Sequence, residues 1–141
     1  MEQQQEAPRE ALVRRGAIFH SDAFDDIDHG KFFVIIGVSE DCVVGLFFIN
    51  SNINSFICGK SDLYALQYTI KARDYESFLR YDSFVSCSSL RRFPLDRFEA
   101  SITSGRTECK GQLREEHLQD ILKLVKDSPV FSKRDREAFF S

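Results

Sequence analysis

Apolar residues along this chain fall into runs of strand length, and only near the end do they take up a helical period. The longest runs, 32–38 and 43–49, are rich in Phe, Val and Ile and are interrupted by Gly37 and Gly45. Branched and aromatic side chains suit a pleated surface, so 31–38 and 42–49 are predicted strands. Ser39-Glu40-Asp41 lies between them, giving a β-hairpin with a three-residue connection. Both arms are nearly continuously apolar, the pattern of a hairpin at the centre of a sheet and covered on both faces.

Shorter elements flank this hairpin. Gly16 opens a first strand over 17–20, and 22–30 is an acidic loop closed by Gly30. Residues 50–60 are rich in Asn, Ser and Gly and read as a loop. Leu66, Tyr68 and Ile70 alternate with Gln67, Thr69 and Lys71, a half-buried strand pattern, and 83–87 is a further short strand. The stretch 88–94 reads as a turn or short helical piece, and 97–110 is ambiguous, with room for a strand. Leu113, Leu118, Ile121, Leu122 and Val125 then fall on one helical face. Ser128-Pro129 stops that helix, and Ser132 is placed to cap a short terminal helix through Phe140. The expected fold is α+β but mainly β: a small curled sheet or barrel with a C-terminal amphipathic helix. Residues 1–14 are expected to be a flexible arm and 15–141 a single domain.

Composition narrows the picture. With 141 residues, 43% hydrophobic and 29% charged, the chain is sized for one globular core. Fourteen Phe beside no Trp and one Met imply a core filled largely by phenyl rings. No apolar run is long enough to span a bilayer, and the Gln/Glu-rich start lacks the apolar segment of a secretory signal. A cytoplasmic protein is therefore expected. Cys42, Cys58, Cys87 and Cys109 are widely spaced, without the close pairs of a zinc site, and are expected as buried or half-buried free thiols.

A net charge of −3 excludes coating of nucleic acid by bulk charge. The charge is uneven, however. Asp22, Asp25, Asp26 and Asp28 crowd one loop, in a spacing that does not fit an EF-hand. The 90–114 stretch instead carries Arg91, Arg92, Arg97, Arg106, Lys110 and Arg114. Arg91, Arg92 and Arg97 lie near Phe93 and Phe98, and cations interleaved with aromatics can hold single-stranded RNA. The competing reading is core Phe beside surface Arg. There is no Gly-rich phosphate loop, nucleophile elbow or metalloprotease motif. His117, among Glu115, Glu116 and Leu118, is expected on the surface.

Four local features, in order, resemble the MazF/PemK family of toxin endoribonucleases. Arg15-Gly16-Ala17-Ile18 is similar to that family's opening strand. His29-Gly30-Lys31-Phe32, running to Phe48-Ile49-Asn50-Ser51, is similar to its central hairpin. Tyr81-Asp82-Ser83-Phe84-Val85, followed by Ser88-Ser89-Leu90, is similar to a strand leading into an ordered turn. Lys110-Gly111-Gln112-Leu113 is similar to the entry to its last helix. The resemblance implies an SH3-like barrel, commonly a homodimer, that cuts single-stranded RNA without a cofactor and is neutralised by an antitoxin protein.

In that family an Arg near the start of the hairpin and a Thr or Ser at its end serve the scissile phosphate. Carried over, these positions fall on Lys31 and on Asn50, with Ser51 beside it. Lys is a point charge without the guanidinium fork, and Asn donates a hydrogen bond but exchanges no proton near neutral pH. His29, at the hairpin mouth, is a further candidate catalytic residue because imidazole exchanges protons in this range. The plainer reading is that Lys31 opens a strand, Asn50 and Ser51 make a turn, and His29 is a solvated loop residue. Absence of the family's Arg/Thr pair keeps a second function open: a non-catalytic RNA- or protein-binding module on the same barrel.

Overall fold

The computed structural model describes residues 13–53 and 55–141. The arm expected at the N-terminus therefore lies, up to residue 12, outside the described residues. Seven strands form one sheet: β1 (Ala17–Ser21), β2 (Lys31–Val38), β3 (Val43–Asn50), β4 (Gln67–Ile70), β5 (Ser83–Ser86), β6 (Arg91–Pro94) and β7 (Thr107–Gln112). Five α-helices accompany them among the described residues: α1 (Ser55–Cys58), α2 (Ser61–Tyr64), α3 (Leu95–Thr103), α4 (Glu115–Lys126) and α5 (Lys133–Phe139). None is long and apolar enough to cross a membrane.

The strand order is β4-β5-β3-β2-β1-β7, with antiparallel neighbours throughout. The outer edge of β3 is shared. Its first half, Val43 to Leu46, pairs with β6, whereas Ile49 and Asn50 pair with β5. The β2–β3 register shifts between Ile35 and Gly37, a bulge that bends the hairpin. Two partners on one edge and a bent hairpin curl the sheet into a small SH3-like barrel, as expected from the sequence.

Alternation along the central hairpin sends Val34, Ile36, Phe47 and Ile49 to one side of the sheet. There they meet Leu118, Ile121 and Val125 of α4, with Phe131, Phe139 and Phe140. Phe33, Ile35, Val44 and Leu46 go to the other side, against Phe19, Phe24 and Phe98. Both faces are covered, as the apolar runs required. A fully buried Phe contributes about 1.5–3 kcal/mol of hydrophobic stabilisation, and Phe19, Phe33, Phe47 and Phe98 are all fully buried.

Several local expectations are corrected. The 88–94 stretch is strand rather than turn or helix over Arg91–Pro94, because the outer edge of β3 supplies its hydrogen-bond partners. Residues 97–110, which left room for a strand, do hold the larger part of β7, and they also hold most of α3. Leu95, Phe98 and Ile102 recur at helical spacing and cover the second face of the sheet. The loop predicted over 50–60 contains α1. The hairpin connection has four residues, since Cys42 takes a left-handed φ of 60° and Ser39 receives hydrogen bonds from Cys42 and Val43. Leu113 lies ahead of α4, its N–H donating to the Gly16 carbonyl at 2.7 Å. Cys87 is buried, but Cys42, Cys58 and Cys109 are exposed free thiols. The terminal helix is capped as predicted: the Ser132 hydroxyl accepts the Asp135 N–H at 3.1 Å.

Candidate active-site groove

The open end of the central hairpin forms one wall of a groove of about 670 Å³. Lys31 begins β2 and Asn50 ends β3, one step beyond the paired Phe32 and Ile49. Antiparallel pairing therefore sets their side chains together, and Lys31 Nζ donates to Asn50 Oδ1. Lysine can only donate, so the amide oxygen must face it and the Asn50 NH2 is the donor turned away. An ammonium has three N–H groups, of which Asn50 takes one. Burial lowers the Lys31 pKa, because a half-buried site disfavours the charged form. Lys31 Nζ also stands 5.1 Å from the Phe48 ring centre.

Ser51 and His29 line the same groove, both exposed. His29 Nδ1 is 3.0 Å from the Gly30 carbonyl. A carbonyl accepts only, so Nδ1 carries the proton in that bond and a neutral ring presents Nε2 as its basic nitrogen. Gly30 is held by close approach: a Cβ there would lie 2.3 Å from His20 Cε1. His20 packs edge-on to Phe32 at 4.6 Å, which makes it a support of the groove floor. All four residues picked out at the hairpin ends, Lys31, Asn50, Ser51 and His29, thus come together.

The rest of the groove is lined by residues 77–81, Ser83 and Lys110. Asp82 closes this loop by accepting the Ala72 N–H at 2.9 Å, with Lys71 Nζ at 3.5 Å. That backbone hydrogen bond, ahead of the lysine charge, holds the Asp82 carboxyl below its ordinary pKa. Ser83 fixes the next turn, its hydroxyl donating to the Tyr81 carbonyl at 2.9 Å. Arg80, Tyr81 and Lys110 were missed as site residues by sequence reasoning. An adjacent cation–aromatic pair at 80–81 was the available signal, but only packing shows which wall it joins.

Arg91, Arg92 and Arg97 line a second groove of about 550 Å³ instead. Arg91 forks onto the Asp26 carboxylate and lies 5.3 Å from the Phe24 ring and 5.6 Å from the Phe48 ring. The bond from Arg91 lowers the Asp26 pKa. Arg92 pairs with Asp135 of α5. The acidic loop is thereby tied down at two points, with Asp22 held by Arg106 at 3.0 Å. Phe48 has a cation of each groove near its ring, Lys31 of the first and Arg91 of the second.

His117 is not the surface residue expected. It is half-buried, and its Nδ1 lies 2.7 Å from the Tyr75 hydroxyl, which itself accepts the Arg114 N–H. Burial raises the Tyr75 pKa.

The architecture is a small, curled antiparallel sheet packed against C-terminal helices. It is similar to the solved structure of Mycobacterium tuberculosis toxin MazF-mt6, with a TM-score of 0.51 and 13% sequence identity, over 79% of this chain and 94% of that one. At that identity the likeness is one of fold. No family model matches the sequence, and no curated protein matches it.

Proposed function

We propose that this protein is a toxin-like endoribonuclease that cuts single-stranded RNA without a metal ion, by attack of a 2′-hydroxyl on the adjacent phosphate. The observation that carries this reading is the convergence of Lys31, Asn50, Ser51 and His29 on one groove. Each has a role there. His29 Nε2 takes the proton from the 2′-oxygen as that oxygen bonds to phosphorus. Lys31, with the Asn50 NH2 and the Ser51 hydroxyl, stabilises the charge added to the phosphate oxygens. The bond from phosphorus to the 5′-oxygen breaks, and Lys31, whose proton is loosened by burial, supplies the proton to that leaving oxygen. The products are a 2′,3′-cyclic phosphate and a 5′-hydroxyl. An antitoxin segment laid in the groove would block it, and a homodimer is the expected assembly. Incubation of purified protein with mixed single-stranded RNA in chelator tests the proposal. Cyclic-phosphate ends that vanish in a folded Lys31→Ala variant are expected, and ends that persist at the wild-type rate would refute the site.

A non-catalytic RNA- or protein-binding module is favoured by one feature. Asn50, where the related toxins carry a hydroxyl, spends its acceptor on Lys31 and brings no exchangeable proton. Saturable RNA binding with no new ends after long incubation is the outcome that reading predicts.

A further inference from the structure

Tyr81 is 70% exposed, more than any other large hydrophobic side chain among the described residues, yet its backbone is fixed. The Ser83 hydroxyl holds its carbonyl, and the next residue, Asp82, locks the loop to the Ala72 N–H. Tyr81 is thus presented by a rigid support, and it lines the same groove as Lys31 and Asn50. Arg80 precedes it in the lining, and Lys110, which also reaches Glu108 at 3.0 Å, lines the groove as well. A tyrosine offered to solvent beside three cations suits a ligand with alternating flat rings and negative charges. An apolar peptide would match the ring but leave the cations unanswered.

We propose that Tyr81 is a base-stacking platform. One nucleobase of single-stranded RNA lies on its ring, so that the neighbouring phosphate is delivered to Lys31, while Arg80 and Lys110 hold the phosphates on either side. This deepens the RNA-cleaving reading and rests on it. Tyr81 is a positioning residue in this scheme: it sets where the strand lies and takes no part in proton transfer. Stacking reads every base by its π-face, so the platform gives affinity and register with little sequence preference.

The test uses RNA with 2′-fluoro sugars, which lacks the nucleophile and stays intact, with 2-aminopurine at alternate positions. The protein has no Trp, so the probe's emission is read without overlap from tryptophan. Wild type is expected to bind and quench the probe. Tyr81→Ala is expected to weaken binding about ten- to a hundredfold, the range one base–aromatic stack supplies, and to lose the quench. Tyr81→Phe should keep both, and Lys31→Ala should weaken binding yet quench fully at saturation. If Tyr81→Ala binds and quenches like wild type while Lys31→Ala binds weakly, the platform is wrong and the RNA groove stands. If wild type does not bind, or Lys31→Ala binds equally well, the RNA reading fails and the platform with it.

Discussion

Lys31 is half-buried, and burial lowers its pKa, so its charge is lost at a lower pH than that of an ordinary lysine. The sign follows from which form is needed. In the proposed reaction the ammonium binds the phosphate, so kcat/KM should fall as pH rises through the lowered free-enzyme value, earlier than for an ordinary lysine. Lys31→Arg keeps the charge at every accessible pH and should move that alkaline limb upward, even if it lowers the plateau. A pH profile of kcat/KM for the two proteins checks this; identical limbs would exclude Lys31 as their origin. Stability runs the other way. The unfolded chain binds more protons between the folded and unfolded pKa values, so Lys31 costs stability at neutral pH and that cost is relieved as pH climbs through the window. The placement of this residue was legible in the sequence. A hairpin predicted from two apolar runs must bring the start of one strand beside the end of the other, and so Lys31 beside Asn50. Arg80 and Tyr81 were not, because their wall belongs to a loop whose position depends on Asp82, Ser83 and distant packing.

At the level of elements, the seating of α5 on the sheet is built around a glycine pair. Gly37 and Gly45 are directly opposed on β2 and β3. A Cβ at Gly45 would come within 2.5 Å of the Phe139 ring, and one at Gly37 within 3.0 Å of the Phe139 carbonyl. Arg15 then ties the end of the helix down, donating to Ile36, Phe139 and Ser141 carbonyls at 2.7–3.0 Å. Gly45→Ala should destabilise the fold by about 1–3 kcal/mol, the usual cost of overpacking. Combined with Phe139→Leu it should cost less than the sum, because the smaller side chain leaves room; denaturant titrations of the single and double variants measure the coupling. Ser132→Ala should cost about 1 kcal/mol by removing the α5 cap. This cap was readable from a Ser four residues past a helix stop. α3 and β6 were harder. β6 exists because β3 offers it an edge, a tertiary cause that local pattern does not carry. α3 has its apolar stripe in Leu95, Phe98 and Ile102, but in the sequence the arginines and acidic residues around it masked the period.

For the molecule as a whole, the proposed RNA substrate raises a question of charge, because the chain carries a net −3. Bulk charge repels RNA, so affinity must come from a few local phosphate contacts, and salt dependence counts them. Each phosphate neutralised on a single strand contributes about −0.7 to the slope of log K against log salt. Lys31, Arg80 and Lys110 share one groove, which predicts a slope of about −2, reduced to about −1.4 in Lys31→Ala. Arg91 is occupied by Asp26, a carboxylate standing where a phosphate oxygen would stand, and Phe48 links it to Lys31. A strand passing Phe48 to reach Arg91 would have to displace Asp26. Asp26→Asn should therefore tighten RNA binding and steepen the slope by about 0.7, as Arg91 becomes available to a phosphate. Binding isotherms of intact 2′-fluoro RNA across a salt series decide the matter. A slope unchanged by Asp26→Asn would confine the strand to the first groove and leave the Arg91–Asp26 pair a tether for the acidic loop, whereas a steeper one would join the two grooves into a single track with Phe48 at its centre.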